Sequence, residues 1–268
     1  MPGQVFPKNL AALMAQRREK GFLRDLKYSL PAIDFSSNDY LGFSTKGLLS
    51  GQVKTLEPSL RIGSTGSRLI SGNSVLYEEL EREIALFHHA PAALLYNSGY
   101  DANLGLLSCV PQKNDLILSD ELIHASLIDG IRLSYATNYK FRHNDLDALK
   151  DLVMRHKDHY AHIYVVVESV YSMDGDSAPL KEIAALCHTY GLYLIVDEAH
   201  AIGVFGKQGR GLCEELRIEK DCFARIYTYG KAMGCHGAAI AGSDELKHYL
   251  VNFSRSFIYT TAMPEHSL

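Results

Sequence analysis

The sequence has little that would mark it for export, for a membrane or for a polyanion. Its five cysteines (Cys109, Cys187, Cys213, Cys222 and Cys235) form no CxxC pair and show no disulfide-like spacing. That excludes a disulfide scaffold and fits a reducing, cytoplasmic setting. The formal net charge is only -4, so there is no bulk electrostatic case for nucleic acid or an acidic membrane as partner. No apolar run approaches the ~20 residues a membrane-spanning helix needs. No signal peptide is evident either, because "NLAALMAQRREKGFLRDLKYSL" mixes charge into apolar positions at helical spacing and reads as an amphipathic arm. Repeats and low-complexity linkers are absent. What remains is 268 residues, 47% hydrophobic and 22% charged, enough for one large domain or two small ones with a sizeable core.

From about Val75 onward, helix and strand signals alternate. "SVLYEELEREIALFHH" reads as a helix capped by Ser74, with Leu76, Leu80, Ile84 and Phe87 on one face. Strands are expected at "AALLYN", "DLILSD", "HIYVVVES", "LYLIVD", "ARIYTYG" and "GAAIAG". Helices are expected at "YDANLGLLSCV", "ELIHASLIDGIRLS", "DLDALKDLVMRH" and "PLKEIAALCHTYG". Short β-branched strands separated by amphipathic helices predict an α/β fold, a mostly parallel sheet with helices on both faces. Such sheets bind ligands at the carboxyl ends of their strands.

One of those ends carries Asp197, Glu198 and His200 in "LYLIVDEAHAIGVFGKQGRG". "DEAH" is a helicase signature, but an ATPase needs GxxxxGK[ST]. Gly206-Lys207 runs into Gln208 and Gly230-Lys231 into Ala232, and neither lysine has the required earlier glycine. A metal site fares little better, since the chain has no HExxH and no thiolate cluster. A third chemistry fits: an organic cofactor that needs a carboxylate at a ring nitrogen. Pyridoxal phosphate withdraws electrons only while its pyridine nitrogen is protonated, and a buried Asp favours that cation. His200 would then reach the phenolic oxygen.

This reading requires a lysine on the same face for the Schiff base. "YTYGKAMGCHGAAIAG" supplies Lys231 after a strand and among small residues, where a ring can lie against the backbone. Thr228, three residues earlier, offers a hydroxyl to phosphate. Ser98 and Gly99 in "NSGYDANLG" stand between a strand and a helix, where free amides and the helix dipole attract anions.

The motifs "SSNDYLG", "GSTGSRLISG", "NSGYDAN", "HASLIDG", "ESVYSMDGD", "DEAH" and "TYGKAMGCHGAA" together resemble the α-oxoamine synthases. These fold-type-I pyridoxal-phosphate enzymes condense an amino acid with an acyl-CoA and release CO2. The resemblance runs from about Arg17 to the end, with the motifs in the family's order. "GSTGSRLISG", "SMDGDSAPL", Gly237-Ala238-Ala239 and "RSFIYTTAMP" look like the branch that joins L-alanine to pimeloyl-CoA or pimeloyl-ACP in biotin biosynthesis. Glycine C-acetyltransferases and 5-aminolevulinate synthases more often carry Gly-Gly-Tyr after the lysine.

The resemblance implies roles residue by residue. Lys231 would hold the cofactor and move the Cα proton, Asp197 would pair with the pyridinium, and His200 would bond the phenolic oxygen. His124 would stack on the ring and polarise the thioester carbonyl. Ser98, Gly99, Tyr100 and Thr228 would bind phosphate. Thr260 or Thr261 would reach the partner subunit's phosphate across a homodimer interface. Glu168 and Ser172 would line the cofactor pocket and Asn38 the substrate side.

Residues 1–40 are expected to form a helical arm and linker, and residues 41–268 a cofactor-binding large domain. The family's C-terminal small domain, with its carboxylate-clamping arginine, is not found before the chain ends at "PEHSL". The chain therefore reads as a shortened synthase or, in another class, as a truncated paralogue that binds cofactor or a partner without turnover. The stretch from Tyr28 to Asp34 reads as a trimmed hairpin, and Ile202 is an apolar choice in a turn where the family favours small or hydroxyl residues.

Overall fold

The computed structural model of the chain describes residues 6–26, 33–49, 51 and 60–268. Most of the Tyr28–Asp34 stretch read as a trimmed hairpin lies outside them. The chain divides into two compact units between Ser37 and Asn38. Within the first, helix α1 (Lys8–Glu19) buries none of its residues. The sequence led us to expect an amphipathic arm, but the interspersed charges leave this helix no buried apolar stripe.

The second unit is built on a seven-stranded sheet. In chain order its elements run α2 (Val75–Phe87), β1 (Ala92–Tyr96), α3 (Gly99–Cys109), β2 (Leu116–Asp120), α4 (Ala125–Leu133), β3 (Thr137–Phe141), α5 (Leu146–His156) and β4 (Ile163–Glu168). Then come α6 (Leu180–Tyr190), β5 (Tyr193–Asp197), α7 (Leu212–Leu216), β6 (Cys222–Thr228), β7 (Ala238–Gly242), α8 (Asp244–Phe253) and α9 (Arg255–Ile258). The strand order is β1-β7-β6-β5-β4-β2-β3. Strands β2 to β6 pair in parallel, and β7 runs antiparallel to β1 and β6.

Alternation along β1 shows why helices cover both faces. Leu94 and Tyr96 join the main core with Ala102 and Leu106 of α3. Ala93 and Leu95 point the other way, into a second cluster with Tyr77 and Ile84 of α2. The central strands have no wet face: Val165, Val166 and Val167 of β4 and Leu194, Ile195 and Val196 of β5 are completely buried. Burial of each such side chain stabilises the fold by roughly 1.5–3 kcal/mol.

Several local readings need correction. Ser74 occupies the N-cap position of α2, but its hydroxyl makes no cap bond. The inward face of α2 is Tyr77, Glu81, Ile84 and Ala85, while Leu76 and Phe87 are only half-buried. Glu81 is tolerated there because Arg68, Lys247 and the Leu95 amide all bind its carboxylate. Helix α4 starts at Ala125 rather than near Glu121, because the His124 side chain accepts from the Ser126 amide and caps it. Strand β3, "TNYKF", escapes the sequence reading because it is a polar edge strand. Ile202 is fully buried against Tyr227 and Ala241, which accounts for an apolar residue in that turn.

Candidate active site

The sheet's parallel register gathers the chemistry. Glu168 ends β4, Asp197 ends β5 directly beside it, and Thr228 ends β6. The three strands thus deliver their last residues to one rim, at the carboxyl edge expected for a parallel sheet. A cavity of about 370 Å³ opens there. Asn38, Ser98, Gly99, Tyr100, His124, Glu168, Asp197, His200, Thr228 and Lys231 all line it. A larger hollow beside α1, around Leu13, Arg17 and Phe22, gathers no comparable set of titratable side chains.

Lys231 Nζ lies 2.7 Å from His200 Nε2, and the Tyr40 hydroxyl lies 2.8 Å from His200 Nδ1. Tyr40 in turn donates to Asn38 Oδ1 at 3.0 Å. Burial, with Lys231 adding to it, lowers the His200 pKa to about 4, so the ring is neutral at pH 7 and carries one proton. Only one ordering then uses Tyr40's proton for Asn38: Lys231 donates to Nε2, and Nδ1–H donates to the Tyr40 oxygen. Burial also lowers the Lys231 pKa, against the opposing pull of Asp197 and Glu168. A lysine that sheds its proton more easily is a better nucleophile.

Asp197 is buried and held from two sides. Its Oδ1 accepts from the Ala199 amide at 2.9 Å and its Oδ2 from Asn103 Nδ2 at 2.7 Å. Glu168, its neighbour across the ladder, behaves differently. Burial, and next the adjacent Asp197, push its pKa up to about 8, and its Oε1 finds no hydrogen-bond partner among the described residues.

This shift makes a pH prediction. The folded pKa of Glu168 exceeds its ordinary 4.5, so the folded chain keeps a proton that the unfolded chain releases. The associated stability is complete below about 4.5 and is lost as pH rises to about 8. Glu168→Gln removes that loss. Relative to wild type, the variant should gain roughly 3–5 kcal/mol between pH 4 and pH 9. Urea unfolding at the two pH values measures it, and parallel pH profiles for the two proteins would rule Glu168 out as the source.

The candidate anion site lies at the start of α3. Its first amides, those of Gly99 and Tyr100, have no intrahelical acceptor, while the Ser98 hydroxyl accepts from the Asp101 amide. Gly99 is required by packing: a Cβ there would stand 2.4 Å from Thr228 Cγ2. The Thr228 side chain is thus brought against the helix start.

One expected cavity residue is placed elsewhere, and the two expected to serve the partner subunit lie outside this cavity. Ser172 is exposed on the turn after β4 and does not line the cavity. Thr260 and Thr261 sit beyond the rim, where Asn97 Nδ2 meets the Thr260 hydroxyl at 3.3 Å and the Thr261 carbonyl at 2.9 Å. Five polar residues missed by the sequence reading join the site: Tyr40, Asn97, Asn103, Ser126 and His236. Tyr40 and Asn103 lie inside quoted motifs, two and four residues from Asn38 and Gly99, and only the tertiary fold turns them toward the reactive groups.

Among the described residues, one group has the composition of a metal site: His143, Asp174 and Asp176. Both ring nitrogens of His143 are already engaged, Nδ1 at 3.0 Å from Asp120 Oδ1 and Nε2 at 2.8 Å from Asp176 Oδ2. His143 is thus held between Asp120 and Asp176 as an ion-paired staple. No helix among the described residues is long and apolar enough to cross a membrane.

Residues 31–267 match the family of class I and II aminotransferases, and the chain belongs to that family. Within it the chain is an α-oxoamine synthase relative. It is 44% identical to the 8-amino-7-oxononanoate synthase of Emericella nidulans, over 92% of this chain and 65% of that one. It is also 44% identical to a putative 8-amino-7-oxononanoate synthase of Bacillus licheniformis, over 96% and 68%. Among solved structures, serine palmitoyltransferase of S. paucimobilis with a bound PLP–myriocin aldimine superposes with a TM-score of 0.85 at 27% identity, over 97% of this chain and 71% of that one. The 8-amino-7-oxononanoate synthase of Francisella tularensis gives 0.73 at 35%, over 87% and 65%. The chain spans about two thirds of the length of these relatives.

Proposed function

We propose that this chain is the cofactor-binding body of a pyridoxal-phosphate-dependent enzyme that joins L-alanine to a pimeloyl thioester, on CoA or acyl carrier protein. The products are 8-amino-7-oxononanoate, CO2 and the free thiol carrier, a step of biotin biosynthesis. The observation that carries the reading is the convergence of Lys231, His200 and Asp197 on one cavity at the carboxyl ends of the parallel strands. Identity of 35–45% to proteins named for that reaction supports this branch over serine palmitoyltransferase, at 27–30%.

The residues fit the cofactor. A buried carboxylate, a half-buried lysine amine and a helix start with free amides are the three features a phosphorylated pyridine aldehyde requires. Bound there, pyridoxal phosphate supplies the electron sink that makes the amino acid's Cα acidic. Asp197 pairs with the ring nitrogen and keeps it protonated. Lys231 anchors the cofactor's aldehyde carbon and, released, carries the Cα proton. His200 bonds the phenolic oxygen through Nε2 once Lys231 leaves that nitrogen, the ring proton then standing on Nε2 and Tyr40 donating to Nδ1. The Gly99 and Tyr100 amides, Ser98 and the Thr228 hydroxyl hold the phosphate, and His124 covers the ring face. Glu168 lines the floor, Asn38 faces the substrate, and Thr260 and Thr261 contribute across a homodimer. Residues 1–40 serve as an arm to the large domain that follows.

The test adds pyridoxal phosphate to the purified chain, reduces with borohydride and maps the modified peptide. A single phosphopyridoxyl adduct on Lys231 is expected. Its absence, or a spread over surface lysines, would sink the assignment. Turnover with alanine and pimeloyl-CoA should then exceed that with glycine and acetyl-CoA. The opposite ranking would move the chain to the glycine-using branch.

A further inference from the structure

Behind the cavity, an unbroken line of hydrogen bonds runs from Asp197 to His124. Asn103 is buried, and its Nδ2 donates to Asp197 Oδ2 at 2.7 Å and to Ser126 Oγ at 2.9 Å. The amide's orientation is fixed by chemistry. A carboxylate only accepts, so the NH2 must face Asp197, and the flipped amide would set oxygen against oxygen. Both Nδ2 protons are therefore committed.

Ser126 is also buried, and its hydroxyl lies 2.7 Å from His124 Nδ1. Because Ser126 Oγ receives a proton from Asn103, its own proton is free to go to His124. The Ser126 backbone amide points to the same ring nitrogen, at 3.2 Å. Two donors thus converge on Nδ1, which leaves no place there for a ring proton. A proton on Nδ1 would face the Ser126 N–H and strand the Ser126 hydroxyl proton.

We propose that Asn103 and Ser126 are positioning residues that fix His124 as the Nε2–H tautomer, so that the ring presents a hydrogen-bond donor to the cavity, and that they tie this choice to the Asp197 carboxylate. Asn103 donates both ways, to Asp197 and to Ser126, but the dependence runs one way. Asp197, as an obligate acceptor, sets Asn103; Asn103 sets Ser126; Ser126 sets His124. With Nδ1 turned onto Ser126, Nε2 is the nitrogen left for a ligand in the cavity that His124 lines. A donor at that point suits a carbonyl or carboxylate oxygen and disfavours an incoming N–H. The functional consequence rests on the reading given under Proposed function, but the tautomer is a property of the chain alone.

The experiment is therefore run on the cofactor-free protein. Nitrogen-15 imidazole resonances are recorded at alkaline pH, where the rings are neutral, with His124 assigned through His124→Gln. Wild type should show a bare, hydrogen-bonded Nδ1 and a protonated Nε2. Asn103→Leu and Ser126→Ala should each shift the tautomer ratio toward Nδ1–H by roughly fivefold, one net hydrogen bond's worth. The other imidazole signals report whether each variant still folds. A protonated Nδ1 in wild type overturns the proposal whatever the variants do, and an unchanged ratio in folded Asn103→Leu removes Asn103 from the relay. Failure of the borohydride experiment would leave these resonances untouched, so the two readings fail separately.

Discussion

Lys231→Ala is expected to lose the borohydride-trapped adduct completely while keeping the fold. The side chain's hydrogen bond runs from Nζ to His200, and burial opposes its charge, so truncation removes a desolvated cation rather than a structural tie. Its stability should stay within about 1 kcal/mol of wild type, the range of a substitution with no core or cap role. Any turnover the chain supports should fall by at least ~10²–10⁴, the usual contribution of a positioned proton carrier. The two readouts together are decisive. Adduct retained at another lysine, with the fold intact, would show that Lys231 does not anchor the cofactor. Loss of both adduct and cooperative unfolding would show that the lysine has a structural role that its contacts do not predict.

Glu198→Ala should produce the largest loss of stability. Glu198 is completely buried, and its carboxylate accepts from the Leu212 amide at 2.9 Å, the Cys213 amide at 2.6 Å and the Ser169 hydroxyl at 3.1 Å. It thereby closes the loop after β5 onto the start of α7 and onto the end of β4. Gly211 is shaped around it, with φ +115 and a Cβ position only 2.8 Å from Glu198 Oε2. Each donor left unpaired costs about 1–3 kcal/mol, while burial of the carboxylate offsets part of that gain. The net loss should be roughly 2–5 kcal/mol, a drop in melting temperature of about 5–20 °C for a domain of this size. Thermal unfolding followed by circular dichroism measures it. A variant that melts with wild type would mean the three donors find water instead, and the loop would then not depend on the acid.

The two adjacent acids of "DEAH" thus have different work, set by strand alternation. Asp197 and Glu198 point to opposite sides of the chain as it leaves β5. One meets the cavity, and the other turns into the protein to hold a loop. Sequence reading assigned Asp197 because its chemistry matched Lys231 and His200. It gave Glu198 no role, because three scattered hydrogen-bond donors leave no spacing to recognise.

The same division runs through the fold. The buried strands were legible because "HIYVVVES" and "LYLIVD" are apolar on both faces, as only a covered parallel sheet allows. β3 was not, because an edge strand half in water carries "TNYKF" and has no such signature. The inward face of α2 was misjudged for a related reason. Hydropathy ranks Leu76 and Phe87 above Glu81, but the partners that make Glu81 a core residue lie outside the helix, Arg68 thirteen residues before it and Lys247 166 residues after it.

By itself, then, the sequence determined what local chemistry and periodicity encode: the parallel α/β body, the lysine among small residues, the acid and imidazole at a strand exit, and the glycine at a helix start. The tertiary structure decided which side chains stand behind them. Tyr40 reaches His200 across 160 positions, and Asn103 reaches Asp197 across 94. Hydrogen bonds of that separation depend on how strands are ordered in the sheet, and no pattern within a single segment records that order.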